Sequence, residues 1–179
     1  DGALTPRLFS LQPSDRVWMS PKITGTFVLS RVPENANLVF VATGTGVAPF
    51  VSMLRTILRP GLSRKIALFH GVRTSQDLGY MKELLAMERV SGNFTYIPTV
   101  SRPRNEIVPW HGATGYVQEI WESRVLDQRW GFEPTPDNPH VYLCGSPGMI
   151  DSLVHTLGKD GFVEHTRAMP GQIHLERYW

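Results

Sequence analysis

Leu38-Val39-Phe40-Val41-Ala42-Thr43-Gly44-Thr45-Gly46-Val47-Ala48-Pro49-Phe50 decides how this chain is read. Leu38 to Ala42 is continuously apolar, too short for a helix of its own, and bounded by Pro33-Glu34-Asn35 before and Gly44 after, which is the pattern of a buried strand. Beyond the glycines, Phe50, Met53, Leu54 and Ile57 recur at helical spacing, with Pro49 in the first turn, where no backbone N–H is needed. A strand that ends in Gly-Thr-Gly and re-emerges as a helix brings bare backbone and unpaired helix N–H groups to one point, and a pyrophosphate fits there. The pattern is not Gly-x-Gly-x-x-Gly, because Ala48 and Pro49 stand where a third glycine would be called for. A tight turn into a packing helix uses the same residues, so the rest of the chain has to decide.

Outward from this stretch, strand and helix alternate: Leu38 to Ala42, Val47 to Leu58, Lys65 to His70, Asp77 to Val90, Phe94 to Val100, Tyr116 to Arg124, His140 to Cys144, Pro147 to Lys159. That order implies an α/β fold, a doubly wound parallel sheet with helices on both faces. Gln128 to Asn138, with Pro134 and Pro136, is expected as an irregular surface loop. The chain divides near Arg31 to Asn37. Before that point Arg16 to Ser20 and Gly25 to Leu29 read as two short β segments joined by residues 21–24, and two strands do not make a stable domain alone.

Composition narrows the class. With 179 residues, 41% of them hydrophobic, the chain can bury a proper core. Its apolar runs are far shorter than a membrane span and no charged-then-apolar leader opens it, so a soluble, cytoplasmic protein is expected. One cysteine, Cys144, excludes internal disulfides and fits a reducing compartment. A formal charge of +2 without a Lys/Arg run argues against nucleic acid, though not against an acidic protein partner. No histidine or cysteine cluster suggests a metal, and the six histidines, scattered singly, read as structural or surface residues.

Ligands of such sheets lie beyond the carboxyl ends of the strands, here Thr43 to Gly46, His70 to Arg73, Val100 to Arg102 and Cys144 to Met149. After the second strand a site for NAD would place an acid against the ribose 2′-hydroxyl, but the residues are Gly71-Val72-Arg73, with no acid until Asp77. Arg73 and Arg102 suit a 2′-phosphate, which guanidinium binds through paired, charge-assisted hydrogen bonds, and so favour NADP; solvated loop cations are the plainer reading of both. Ser146-Pro147 caps and opens the last helix, whose N-terminus also points to the cleft, while Gly145 ends the strand before it. Cys144 stands at that strand's tip, either facing a ligand or packed as a small core hydrophobe.

Five motifs together, Ala42 to Phe50, Val100-Ser101-Arg102, Thr114 to Gln118, Cys144 to Met149 and Glu176 to Trp179, resemble the ferredoxin-NADP reductase family. The opening Gly2 to Leu8 and the aromatic end Tyr178-Trp179 resemble its bacterial ferredoxin/flavodoxin branch. The resemblance spans essentially the whole chain. It implies that Gly2, Ala3, Leu4 and Thr5 open a short helix at the FAD pyrophosphate, that Thr43 lies by the flavin, and that Gly44, Thr45 and Gly46 lie beside the NADP pyrophosphate. It further implies a 2′-phosphate pocket at Arg73, Ser101 and Arg102, adenine held by Tyr116 and Gln118, Cys144 as the catalytic residue beside the nicotinamide, further cofactor contacts at Val72, Gly145, Ser146 and Met149, and FAD covered by Tyr178 and Trp179.

Members of the family begin with an antiparallel flavin-binding barrel that carries an Arg-x-Tyr-Ser motif, which this sequence lacks. Residues 1–33 are therefore expected to be the end of such a barrel and 34–179 the NADP-binding domain, the whole a fragment of a longer, monomeric enzyme. The implied activity is exchange of reducing equivalents between NADP(H) and ferredoxin or flavodoxin, with FAD and NADP as cofactors. A flavin reductase or the reductase component of an oxygenase, or a nucleotide-binding module without turnover, are the alternatives.

Overall fold

The computed structural model describes residues 3–22 and 24–177. Its centre is a sheet of β1 (Leu38–Thr43), β2 (Ile66–Val72), β3 (Phe94–Val100), β4 (Ala113–Thr114), β5 (His140–Gly145) and β6 (Ile173–Arg177), all parallel, in the order β4-β3-β2-β1-β5-β6. The helices are α1 (Thr5–Phe9), α2 (Val47–Ile57), α3 (Met81–Val90), α4 (Val117–Glu122), α5 (Val125–Trp130) and α6 (Pro147–Lys159). Strand side chains alternate between two cores. Leu38, Phe40 and Ala42 pack with Phe50 and Leu54 of α2 and Leu84 of α3, whereas Val39 and Val41 pack with Trp121 of α4, Leu126 of α5 and Leu153 of α6. Helices on both faces explain why β2 is buried at every position and reads as one apolar run. The strand order reverses between β1 and β5, which opens a crevice at their carboxyl ends.

The two β segments expected upstream do not form among the described residues. Residues 3–22 are exposed, Trp18 and Met19 included, and Leu29–Arg31 is a single 3-10 turn. A strand exists only against a neighbour, and no ladder pairs with this stretch. Its end is nevertheless tied down: Phe27 packs edge-on against Tyr142, with ring centres 5.3 Å apart, and the Tyr142 hydroxyl donates to the Val28 carbonyl at 3.0 Å. Ile23, inside the loop expected at 21–24, lies outside the described residues.

The loop expected over Gln128 to Asn138 is shorter, because α5 runs to Trp130 and buries Leu126 and Trp130. Arg124 and Gly131, both left-handed, separate it from α4 and end it. The helix expected from Asp77 starts instead at Met81. Thr74 and Asp77 close a 3-10 turn, the Asp77 carboxylate accepting from the Thr74 N–H at 3.3 Å and hydroxyl at 3.1 Å, and Tyr80 then takes a left-handed backbone, φ 61°.

Histidines that are scattered along the sequence gather in space. His174 stacks on Tyr142 with ring centres 4.4 Å apart, lies 4.7 Å from the His165 ring, and shares a hydrogen bond of 3.0 Å with His140. Burial, then the neighbouring His140 and His165, lowers His174 to about 4, and burial alone lowers His70 to about 4 against a weaker opposing bond to Gly44. The unfolded chain takes up these protons near the ordinary 6.5 and the folded chain only near 4, so stability is fully present above 6.5 and is lost as the pH falls toward 4. Urea unfolding should therefore give a lower free energy at about pH 5 than at pH 7.5, and His174→Asn should reduce that difference. A stability independent of pH across this window would show that the imidazoles are not held neutral.

Candidate functional site

A cleft of about 850 Å³ opens over the carboxyl ends of β1, β2, β3 and β5. Thr43, Gly44 and Thr45 line it from β1, Val72 and Arg73 from β2, Ser101 from β3, and Gly145, Ser146 and Met149 from β5 and α6. Tyr116 and Gln118 form the wall at the start of α4.

The floor is backbone packed on backbone. Gly44, at φ 54°, starts a 3-10 turn that leads directly into α2. A Cβ on Gly46 would fall on the Cys144 carbonyl, and one on Gly145, itself at φ 150°, would fall on the Thr43 hydroxyl. Thr43 Oγ1 accepts instead from the Ser146 N–H at 2.9 Å, which locks the tips of β1 and β5 together. Ser146 in turn caps α6, its hydroxyl accepting from the Met149 N–H at 3.4 Å, with Pro147 in the first turn. The N-termini of α2 and α6 thus converge on one spot and present partial positive charge to it.

Under the turn, His70 is fully buried. A carbonyl only accepts, so His70 Nε2–H donates to the Gly44 carbonyl at 3.3 Å, which leaves Nδ1 to accept from the Tyr96 hydroxyl at 3.1 Å. Desolvation keeps the imidazole neutral and pushes the Tyr96 phenol up as well. No periodicity marks this pair; its signal is a polar residue inside an otherwise apolar strand, and sequence reasoning passed it over.

Most residues expected at the site are brought together, and some are not. Arg102 is exposed and does not line the cleft, though its N–H donates to the Arg73 carbonyl at 2.9 Å and so holds the two arginine-bearing turns side by side. The Ser101 hydroxyl bonds the Val72 carbonyl at 3.2 Å. Gly46 is buried beneath the lining. Ala3, Leu4 and Thr5 are exposed at the head of α1 and do not line the cleft, while Gly2, Tyr178 and Trp179 lie outside the described residues. Cys144 does not line the cleft: its side chain is fully buried in the core that α2 covers, its Sγ 4.0 Å from a Glu176 carboxylate oxygen, one residue before Gly145, which does line it. Among the lining residues that were not expected at the site are Asp77, Gly79 and Tyr80, which lie on a connection and not at a strand end. Among the described residues no group of His, Cys, Asp or Glu is arranged to hold a metal ion, and no helix is long and apolar enough to cross a membrane.

The model of the oxidoreductase NAD-binding domain matches residues 40–155. The flavodoxin/ferredoxin-NADP reductase of Escherichia coli (strain K12) is 32% identical over 181 residues, which cover 100% of this chain and 71% of that protein. The chain belongs to the ferredoxin-NADP reductase family. A crystal structure of the ferredoxin NADP+ reductase of Neisseria gonorrhoeae, described as having FAD and NADP bound, superposes with a TM-score of 0.83 at 26% identity, over 100% of this chain and 71% of that one. A shorter match, 36% identical over 149 residues, joins this family member to the phenol hydroxylase P5 protein of Acinetobacter pittii (strain PHEA-2), of which it covers 38%. If the backbone contact at the floor shapes the reductase cleft, Gly46→Ala should cost about 1–3 kcal/mol, because the β1 turn and the β5 backbone must part to admit a methyl group. Thermal unfolding measures this, and an unchanged melting temperature would refute the contact.

Proposed function

We propose that this chain binds NADP(H) in the cleft and serves an FAD-dependent reductase that exchanges reducing equivalents with ferredoxin or flavodoxin. The observation that carries this reading is the pairing of a glycine-floored turn at the head of two helices with Arg73 at the neighbouring strand end. The cleft has the volume of a cofactor site, and bare backbone at Gly44 to Gly46 lets a pyrophosphate approach the N–H groups of α2. Arg73, with Ser101 beside it and Arg102 on the adjoining turn, meets the 2′-phosphate; Tyr116 and Gln118 hold adenine; Gly145, Ser146 and Met149 surround the nicotinamide end. NADP(H) supplies reducing equivalents in pairs, and a flavin passes them on singly. The chain's own part is to orient: the rigid β1–β5 floor fixes where the nicotinamide end lies, and Thr43, at that floor, is the residue expected beside the flavin.

For FAD the described residues offer less, since Ala3, Leu4 and Thr5 are exposed and do not line the cleft with Thr43. We accordingly assign residues 1–33 to a flavin-binding unit and 34–179 to the NADP-binding domain of a monomeric, cytoplasmic enzyme. Support for the first assignment is the exposed apolar surface of Leu8, Phe9, Trp18 and Met19. The likeness to the phenol hydroxylase P5 protein favours a second reading, the reductase component of an oxygenase. Reduction of ferredoxin or flavodoxin, set against reduction of an oxygenase partner, separates the two.

Calorimetry with 2′,5′-ADP and 5′-AMP should show a clear preference for the ligand with the extra phosphate. Arg73→Ala should remove about 1.5–3 kcal/mol of that preference, the range for a hydrogen bond to a charged group. Equal binding of the two ligands would overturn the NADP assignment. Cys144→Ala should lower stability by about 1 kcal/mol and leave 2′,5′-ADP binding unchanged, as fits a small buried side chain. A loss of NADPH oxidation at unaltered stability would instead place Cys144 at the nicotinamide.

A further inference from the structure

We propose that Tyr80 is a ligand contact of the cleft: its phenol bonds the ribose and adjoining phosphate of the adenosine half, the stretch that lies between the glycine turn and Arg73. The inference rests on the NADP(H) reading above and extends it to a residue outside the strand-end motifs. Three observations carry it. Tyr80 lines the cleft and is 47% exposed. Its backbone is left-handed, φ 61° and ψ 8°, a conformation that glycine or asparagine adopts more readily than an aromatic residue. Its ring is nevertheless held in place, for the Arg55 guanidinium lies 5.7 Å from the ring centre and is itself fixed by two hydrogen bonds of 2.7 and 2.8 Å to the Glu83 carboxylate.

That clamp joins the last turn of α2 to the first turn of α3. Arg55 lies on α2, whose N-terminus is the glycine turn, and residues 74–80 run from Arg73 at the end of β2 back to that clamp. Arg55 is in the last turn of α2, so Tyr80 is braced from that helix while sharing one cleft with the two sites assigned to phosphate, the glycine turn and Arg73. A dinucleotide that reaches both lies in the cleft that Tyr80 lines. The Asp77 carboxylate on the same connection is turned to Thr74, accepting from its N–H and hydroxyl. Among the described residues the Tyr80 hydroxyl makes no hydrogen bond within the protein, so it is available to donate to a phosphate oxygen or a ribose hydroxyl. A residue kept in an unfavourable backbone conformation, with one ring face braced and its polar end open to the cleft, is positioned for contact rather than for the core.

The test is calorimetry of the wild-type chain, Tyr80→Phe, Tyr80→Asn and Arg73→Ala with 2′,5′-ADP and 5′-AMP, alongside melting temperatures. Tyr80→Phe should weaken both ligands by the same factor, about three- to tenfold, because the ribose and 5′-phosphate are common to both. Its melting temperature should not change. Tyr80→Asn should weaken both at least as much, while its melting temperature stays level or rises as the backbone conformation is relieved. Arg73→Ala should differ in kind, losing affinity only for 2′,5′-ADP. Wild-type affinity of Tyr80→Phe for both ligands would overturn the contact and leave the NADP(H) reading standing, provided the preference for 2′,5′-ADP persists. If the wild-type chain binds neither ligand, the reading and the contact fall together.

Discussion

The tips of β1 and β5 touch backbone to backbone, and the cleft depends on that contact. A side chain at Gly46 would collide with the Cys144 carbonyl, and one at Gly145 with Thr43. With both absent, the Thr43 hydroxyl can take the Ser146 N–H, and α2 and α6 start within the same small region. One set of short distances thereby fixes three things at once: the switch in strand order, the direction of two helix N-termini, and the shape of the floor. Glycine is needed here for lack of volume at Gly46, and for both volume and backbone conformation at Gly145.

Electrostatics complete what the backbone begins. A turn meant to receive negative charge gains from helix N-termini and from Arg73, and would lose their selectivity if a second, pH-dependent charge lay just beneath it. His70 meets this constraint by being buried so deeply that it remains neutral, which lets it donate to the Gly44 carbonyl as a fixed dipole. Tyr96 secures the tautomer from the other side. The result is a turn whose carbonyl is drawn down into the sheet, while positive charge is confined to the arginine-bearing rim.

How much of this could be read in the sequence follows from how local each cause is. The four long strands and helices α2 and α6 are legible because burial on two faces writes continuous apolar runs, and one-sided burial writes a helical stripe. The strand-end positions of Thr43 to Gly46, Val72, Arg73, Ser101, Gly145 and Ser146 follow from that alternation, and all but Gly46 line the cleft. What escaped depended on partners distant in the chain. β6 reads Ile-His-Leu-Glu-Arg and becomes a strand only because β5 lies beside it. Conversely, Arg16 to Ser20 has the short apolar run of a strand and pairs with no strand among the described residues. Cys144 shows the limit within a motif: its place at the strand tip is legible, but which way a tip residue turns depends on register, and its neighbour Gly145 takes the upward place.

The pairing of β1 with β5 also sets when the cleft can exist at all. Leu38 pairs with Ile66 across one helical crossover, but with His140 only after β2, β3 and everything between have been formed or looped out. Contacts between residues so far apart in sequence are the slow ones, because loop entropy is lost before they give anything back. A chain that had completed only β1 to β3 would possess the glycine turn and Arg73, yet it would lack half of the floor. The complete floor therefore exists only once β5 has paired with β1. A bound dinucleotide then acts as a kinetic latch, slowing the departure of β5 and with it the unfolding of the whole sheet.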